Sequence, residues 1–185
     1  MNIILASKSP RRTEILSMMN INHLVIPSKE KEIIDPSLTP TEVVMSLAYQ
    51  KAKSIAVNYP NDLVIGADTI VVINNEILGK PKDYNDAVRM LSLLENNTHQ
   101  VITGVSLIKG NYIDTFYVVS NVTFKPMTKE DIDNYISLEN VYDKAGSYAI
   151  QGEHATFIDH IEGDYYNIVG LPKDELQKHL DKVAN

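Results

Sequence analysis

Strand-like and helix-like segments alternate through the first half of the chain, whereas strands predominate in the second half. The predicted strands are 3–6, 63–65, 70–78 (a hairpin turned on Asn74-Asn75), 99–102, 105–108, 112–124 and 156–161. The predicted helices are 11–19, 40–57, 84–94, one following Thr128, and 173–183. This order favours an α/β fold with a mixed sheet and flanking helices, formed by a single domain over residues 1–185.

Composition excludes several classes of protein. The 185 residues include no Cys, which excludes a disulfide scaffold, a Cys-ligated zinc site and thiol catalysis, and is typical of a reducing, cytoplasmic compartment. No apolar run approaches the ~20 residues that span a bilayer, so no membrane association is expected. The net charge of -7 argues against a broad nucleic-acid surface but leaves room for one anionic ligand in a basic pocket.

The segment Ser7-Lys8-Ser9-Pro10-Arg11-Arg12 joins a predicted strand to a predicted helix. Ser9 is a good N-cap and Pro10 a good first helical residue, so free backbone N–H groups and the positive end of the helix dipole lie here. With two hydroxyls, one lysine and two guanidiniums, the segment could bind phosphate. A capped helix whose arginines are merely solvated explains the same residues equally well.

Lys51 lies within the apolar stripe of the helix predicted over 40–57. That helix carries its own start signals, with Thr39 as N-cap, Pro40 at the first position and Glu42 closing a capping box. A lysine on an inward face either extends its ammonium to the surface or pairs with an anion. We favour the paired or functional role, because an unpaired buried charge is costly.

Gly66-Ala67-Asp68-Thr69 follows the predicted strand 63–65. Ligands of open α/β sheets bind at the carboxyl ends of strands, where Asp68 could hold Mg²⁺ or orient a water. The small Gly66 and Ala67 would let a ligand approach the backbone. A turn aspartate that bonds its own backbone is the plainer alternative.

Two further segments carry candidate binding groups. Lys80, which precedes a proline and is therefore extended, would add a cation near a phosphate, or would be an ordinary surface lysine. Gln151 ends a segment of small residues around Tyr148. Its amide both donates and accepts, as recognition of a base edge requires. A packed turn would also explain that segment.

Taken together, the segments closely resemble the Maf family of nucleoside triphosphate pyrophosphatases, in the family's order and over nearly the whole chain. The matching segments are Ser7 to Arg12, Lys51-Ala52, Gly66 to Thr69, Gly79-Lys80-Pro81, Thr103-Gly104-Val105, Lys144-Ala145-Gly146, Gln151-Gly152 and Val169-Gly170-Leu171-Pro172. The resemblance implies a fold related to the inosine triphosphate pyrophosphatases, with two lobes around a cleft. It also implies a divalent cation, Mg²⁺ or Mn²⁺, and a homodimer.

The resemblance implies site residues as well. Asp68 would be the catalytic general base and a metal ligand, and the triphosphate would be held by Ser7, Arg12, Lys51 and Lys80. The base-recognition positions Arg11, Thr69 and Gln151 match the subgroup that prefers dTTP and UTP. The segment Ser28 to Glu32 departs from the family pattern, so either Glu30 or Glu32 could be the glutamate that assists metal binding.

The residues and the resemblance agree on a hydrolase that converts a nucleoside triphosphate to the monophosphate and pyrophosphate. The resemblance implies dTTP and UTP as its substrates, with modified pyrimidine nucleotides as further candidates. One alternative is a pyrophosphatase for inosine or xanthosine triphosphate, against which Thr69 and Gln151 argue mildly. Another is a nucleotide-binding regulator of cell division without catalysis, for which Asp68 and Lys80 would not be needed.

Overall fold

The computed structural model describes residues 1–184 and contains one seven-stranded sheet. The strands are β1 (Ile3–Leu5), β2 (Leu24–Val25), β3 (Leu63–Ile73), β4 (Glu76–Leu78), β5 (Thr98–Lys109), β6 (Tyr112–Phe124) and β7 (Ile158–Glu162). The helices are α1 (Pro10–Met18), α2 (Pro40–Ala56), α3 (Tyr84–Leu94), α4 (Lys129–Leu138), α5 (Tyr165–Val169) and α6 (Lys173–Ala184). Over residues 1–184, none of the helices combines the length and the apolar composition that crossing a membrane requires.

The strands follow the order β2-β1-β3-β5-β6-β7, and β4 pairs with β3 beside this path. β1 runs parallel to β2 and β3, whereas the β3–β5, β5–β6 and β6–β7 pairs are antiparallel. The predicted fold class, a mixed α/β sheet with flanking helices, is confirmed.

The helix start signals and the hairpin turn act as the sequence predicts. The Thr39 hydroxyl accepts from the backbone N–H of Glu42, and the Glu42 carboxylate accepts from the N–H of Thr39 at 2.8 Å. Ser9 caps α1 with Pro10 in its first turn. The β3–β4 hairpin turns on Asn74-Asn75, both at positive φ, a conformation that Asn tolerates well.

Helix α2 covers one face of the sheet and packs closely on β3 and β5. A Cβ added at Gly66 would lie 2.3 Å from the Ala48 carbonyl oxygen, and one at Gly104 would lie 2.5 Å from that of Val44. The two glycines therefore allow the helix backbone to rest directly on the strands. This close approach fixes where the side chains of α2 project over β3.

The opposite face carries two separate hydrophobic clusters. One joins α1, α5 and α6 to the sheet through residues such as Leu16, Ala67 and Leu176. The other joins α3 and α4 to the far ends of β3 and β5 and includes Leu91 and Tyr135. A cleft lies between them, lined by Val71 and Ile168 of the second cluster and Val169 of the first.

One edge of β3 is shared by two strands with a gap between them. β1 pairs with residues 63–65, and β4 pairs antiparallel with residues 71–73 of the same strand. Residues 66–70 lie between these pairings, and the cleft opens there. Asp68 and Thr69, at the middle of this stretch, both line it.

Two predicted strand boundaries are wrong. β3 does not end at residue 65 but continues to Ile73, so Asp68 lies within a strand rather than after one. The two short strands predicted at 99–102 and 105–108 are one strand, β5, because Thr103-Gly104 stays extended and pairs with Asp68 and Thr69. In both cases small or polar residues interrupt the apolar pattern without interrupting the ladder.

Candidate active site

The cleft encloses a volume of about 500 Å³, and every site residue predicted from the sequence lines it. These residues are Ser7, Arg11, Arg12, Lys51, Asp68, Thr69, Lys80 and Gln151. They come from the β1–α1 connection, the first turn of α1, α2, β3, the segment after β4 and the segment before β7. Segments distant in sequence thus contribute to one concave surface of cationic, hydroxyl and carboxylate groups.

Ser7 follows β1 and is buried at the start of the connection to α1. Its Oγ accepts a hydrogen bond from the backbone N–H of Ser9 at 3.2 Å and another from Nη1 of Arg12 at 3.0 Å. Since a hydroxyl has two acceptor lone pairs, both are used, and the Ser7 proton remains available to donate into the cleft.

Arg12 is held in one orientation by groups on three elements. Besides Ser7, its Nε donates to the carbonyl oxygen of Gly170 at 2.8 Å and its Nη2 donates to Oγ1 of Thr69 at 3.0 Å. Burial lowers the pKa of the Arg12 guanidinium, and the nearby charge of Asp68 opposes that shift. A guanidinium remains charged nonetheless, so a fixed, partly dehydrated positive charge lies at the cleft.

Lys51 bridges two carboxylates. Its Nζ lies 2.5 Å from Oδ1 of Asp68 and 3.0 Å from Oε1 of Glu32. The side chains of Lys51 and Asp68 are only 16% and 14% exposed, whereas Glu32 is 45% exposed. The ion-paired interpretation of Lys51 is therefore correct, and the geometry favours Glu32 over Glu30 as the second carboxylate near Asp68.

The role predicted for Gly66 and Ala67 is wrong. Gly66 faces the backbone of α2 rather than a ligand, and Ala67 is fully buried on the other face, among side chains of the α1–α5–α6 cluster. Because side chains alternate along a strand, Asp68 points to the same side as Gly66, where α2 carries Lys51. The glycine thus brings the lysine to the aspartate by allowing close helix packing.

The remaining predicted residues lie at the edge of the cleft. Arg11 is half-buried, whereas Lys80 and Gln151 are exposed. Within residues 1–184, Lys80 forms no ion pair, so its ammonium is free to meet an anionic ligand. A carboxylate, Asp143, also lines the cleft. Its pKa is lowered chiefly by a hydrogen bond from Lys144, with a smaller effect from Arg11.

Sequence reasoning missed the buried residues that support Arg12 from the interior of the protein. Thr103 and Asn167 are fully buried, and Thr103 Oγ1 lies 2.8 Å from Oγ1 of Thr69. Thr103 and Gly170 lie within segments that resemble the family, but no pattern in the sequence places either beside Arg12. Only the pairing of β3 with β5 and the docking of α5 on the sheet bring them together.

The donor set fits a divalent cation that is shared with a phosphate ligand. Asp68 and Glu32 both lie within hydrogen-bond distance of one ammonium, so their oxygens converge on a single point. Hard oxygen ligands suit Mg²⁺ or Mn²⁺, and Mg²⁺ is commonly held by one or two carboxylates plus substrate phosphates. Residues 1–184 contain no group of three or more His, Asp or Glu that could hold a metal alone.

Known proteins resemble this chain over nearly its whole length. The family model described as Maf-like protein matches residues 2–183. A dTTP/UTP pyrophosphatase of Clostridioides difficile is 50% identical over 98% of this chain and 95% of its own length. One of Bacillus cytotoxicus is 48% identical over 96% of this chain and 93% of its own. A solved structure of a Ham1 protein from Staphylococcus aureus is 14% identical, with a TM-score of 0.45, and covers 85% of this chain and 80% of its own.

Proposed function

The chain belongs to the Maf family, and on that premise we propose that it hydrolyses dTTP and UTP to the nucleoside monophosphate and pyrophosphate. The observation that carries the proposal is the Lys51–Asp68 pair at 2.5 Å, which lies in a cleft beside a fixed arginine. Cations alone would suit any anionic ligand. A carboxylate poised among them supplies the base that hydrolysis needs.

The triphosphate is bound by charge and by directed hydrogen bonds. Arg12 keeps two of its five N–H donors after its three contacts to the protein, and Ser7 keeps its hydroxyl proton. Lys51 and Lys80 add ammonium charges that line the same cleft. The three cations neutralise phosphate charge and Ser7 adds a hydrogen bond, and such positioning and neutralisation are most of what phosphoryl chemistry requires of a protein.

Asp68 acts as the general base. When phosphate oxygens draw the Lys51 ammonium away, the Asp68 carboxylate loses its partner and can accept a proton from the attacking water. The water oxygen then bonds to the α-phosphorus. The bond between that phosphorus and the oxygen that bridges it to the β-phosphorus breaks, and pyrophosphate leaves. Asp68 and Glu32 would hold the divalent cation, which when bound would add charge neutralisation at the phosphates.

The nucleobase is selected in the outer part of the cleft. Gln151 presents an amide that can donate and accept, and so suits the edge of a pyrimidine. Arg11, a second residue of the predicted specificity set, lies on the first turn of α1 beside the phosphate-binding groups. The apolar side chains of Ile150 and Ile168 line the same cleft and offer surface to a base.

Assembly and location follow from the family resemblance and the composition. We propose a homodimer in the cytoplasm, with the Cys-free composition as support for the location. Sedimentation equilibrium tests the dimer, because a monomer at micromolar concentration would refute it. Fractionation of cells that express the tagged full chain tests the compartment.

A nucleotide panel tests the proposed function. Pyrophosphate release is measured for dTTP, UTP, CTP, GTP, ATP, ITP and XTP, with Mg²⁺, with Mn²⁺ and with a chelator. We expect release from dTTP and UTP that depends on the metal. Preferential release from ITP or XTP would indicate the purine alternative, and tight nucleotide binding without release would indicate the regulator.

A further inference from the structure

A chain of hydroxyl groups links Arg12 to the interior of the protein. Arg12 Nη2 lies 3.0 Å from Thr69 Oγ1, which lies 2.8 Å from Thr103 Oγ1, which lies 2.9 Å from the backbone carbonyl oxygen of Asn167. Thr69 and Thr103 face each other directly across the β3–β5 ladder. The chain thus crosses two strands and ends on α5.

The direction of each bond in this chain is fixed by its two ends. A carbonyl oxygen only accepts, so Thr103 must donate its single hydroxyl proton to Asn167. Thr69 must therefore donate its own proton to Thr103, and it accepts from the guanidinium of Arg12, which only donates. Every bond points inward from the cation, an arrangement in which each bond polarises the next.

The inner end of the chain is itself anchored. Asn167 is fully buried, and its Nδ2 donates to the carbonyl oxygen of Val101 at 3.1 Å and to Oγ of Ser120 at 2.9 Å. These bonds tie α5 to β5 and β6. Gly170, just after α5, accepts from Nε of Arg12. Helix α5 therefore holds the guanidinium both directly and through the two threonines.

We propose that Thr103 is a positioning residue for substrate phosphate binding, acting through Thr69 on Arg12. The inference rests on the proposed function for the identity of the phosphate ligand. Thr69 donates its only proton to Thr103 and accepts from Arg12, so both hydrogen bonds of its hydroxyl serve the orientation of Arg12. Without the chain, the guanidinium loses one of its three fixed contacts and presents its two free donors less accurately.

The test compares substitutions that break the chain with one that breaks a matched pair elsewhere. Thr103→Val removes the hydroxyl and keeps the shape, Thr103→Ser restores the hydroxyl, and Thr69→Val breaks the chain from the other side. The control is Thr115→Val. Its Oγ1 lies 2.8 Å from the buried Ser106 Oγ across the β5–β6 ladder, away from Arg12.

Binding of inorganic triphosphate, measured by calorimetry, serves as a readout that needs no turnover. We expect Thr103→Val and Thr69→Val each to raise the Kd about tenfold, in the range for a lost or misdirected bond to a charged group. The double variant should bind triphosphate no more weakly than either single variant, because both substitutions break the same chain. Thr103→Ser should remain within about threefold of the wild-type Kd, and Thr115→Val should lower Tm while leaving the Kd unchanged.

Kinetics with nucleotides distinguish positioning from base recognition. If Thr69 acts through Arg12, Thr69→Val and Thr103→Val raise KM alike for UTP and GTP, and the ratio of kcat/KM for UTP to that for GTP stays constant. A ratio that changes in Thr69→Val alone would overturn the inference, as would additive losses in the double variant or a wild-type Kd in Thr103→Val. Wild-type protein that binds triphosphate through this chain but hydrolyses no nucleotide would refute the proposed function and leave the inference standing.

Discussion

Replacing Gly66 with alanine tests whether close packing of α2 on β3 builds the catalytic pair. The added Cβ would lie 2.3 Å from the Ala48 carbonyl oxygen, 2.7 Å from the Ala52 nitrogen and 2.8 Å from the Ala52 Cβ. Two of these atoms belong to the helix backbone, so no side-chain rotation relieves the contacts and α2 must move outward. Overpacking of this kind costs typically 1–3 kcal/mol, and backbone contacts this short place the expected cost at about 3 kcal/mol.

For a chain of this length that cost corresponds to a fall in Tm of about 6–12 °C, measured by calorimetry. Because Lys51 lies between Ala48 and Ala52 on α2, the shift also separates its ammonium from Asp68, which it now approaches to 2.5 Å. We therefore expect pyrophosphate release from dTTP to fall more in Gly66→Ala than loss of folded protein explains, at a temperature where the variant is folded.

Two other glycines supply controls. Gly104→Ala meets the Val44 carbonyl oxygen at 2.5 Å, nearer the start of α2, and should lower Tm by a similar amount with a smaller effect on turnover. A Cβ at Gly79 has no neighbour within 4 Å, so Gly79→Ala should leave Tm unchanged. A wild-type Tm in Gly66→Ala would refute the packing argument, and a lower Tm with undiminished turnover would refute its link to Asp68.

Three further predictions concern the general base Asp68, the buried imidazole of His99 and the start of α4. Asp68→Asn should leave Tm near the wild-type value and reduce pyrophosphate release at least about a hundredfold, in the range for loss of a general base; release at the wild-type rate would exclude the proposed role. Burial lowers the pKa of His99 from 6.5 to about 4, so the unfolded chain binds a proton there before the folded protein does. The free energy of unfolding should therefore fall by about 3 kcal/mol from this group as pH drops from 6.5 to 4, with no contribution above 6.5. Urea titrations over that range measure how the free energy of unfolding changes with pH in the wild type and in His99→Gln. An equal change in both proteins would contradict the role of His99. Thr128→Ala removes the side-chain half of the α4 capping box and should cost about 1 kcal/mol, seen as a lower urea midpoint with wild-type kcat.

The sequence predicts element types well where local signals exist. The capping box of α2, the Asn74-Asn75 turn and the start of α4 after Thr128 all depend on residues close together in the chain. The boundary errors occur where small residues interrupt an apolar pattern for a tertiary reason. Gly66 and Gly104 read as breaks in their strands, but each is small because α2 rests on it.

The site was predictable in part, because charge and resemblance identify its groups one by one. What no local pattern supplies is the way those groups are paired. The contact of Lys51 with Glu32 as well as Asp68 needs the segment after β2 to return across α2. The support of Arg12 by Gly170 spans 158 positions of sequence. Such contacts are set by the fold as a whole and cannot be predicted from the sequence around either partner.

The gap along the edge of β3 also bears on how the protein avoids edge-to-edge pairing with a strand of another chain. An open strand edge carries unpaired backbone N–H and C=O groups, which can template pairing with another chain. Here the open stretch 66–70 is short and closed at both ends, by β1 on one side and β4 on the other. A foreign strand would collide with those neighbours before it formed a useful ladder, whereas a nucleotide is small enough to enter. The gap can thus admit a small ligand to Asp68 and Thr69 while excluding a strand of another polypeptide.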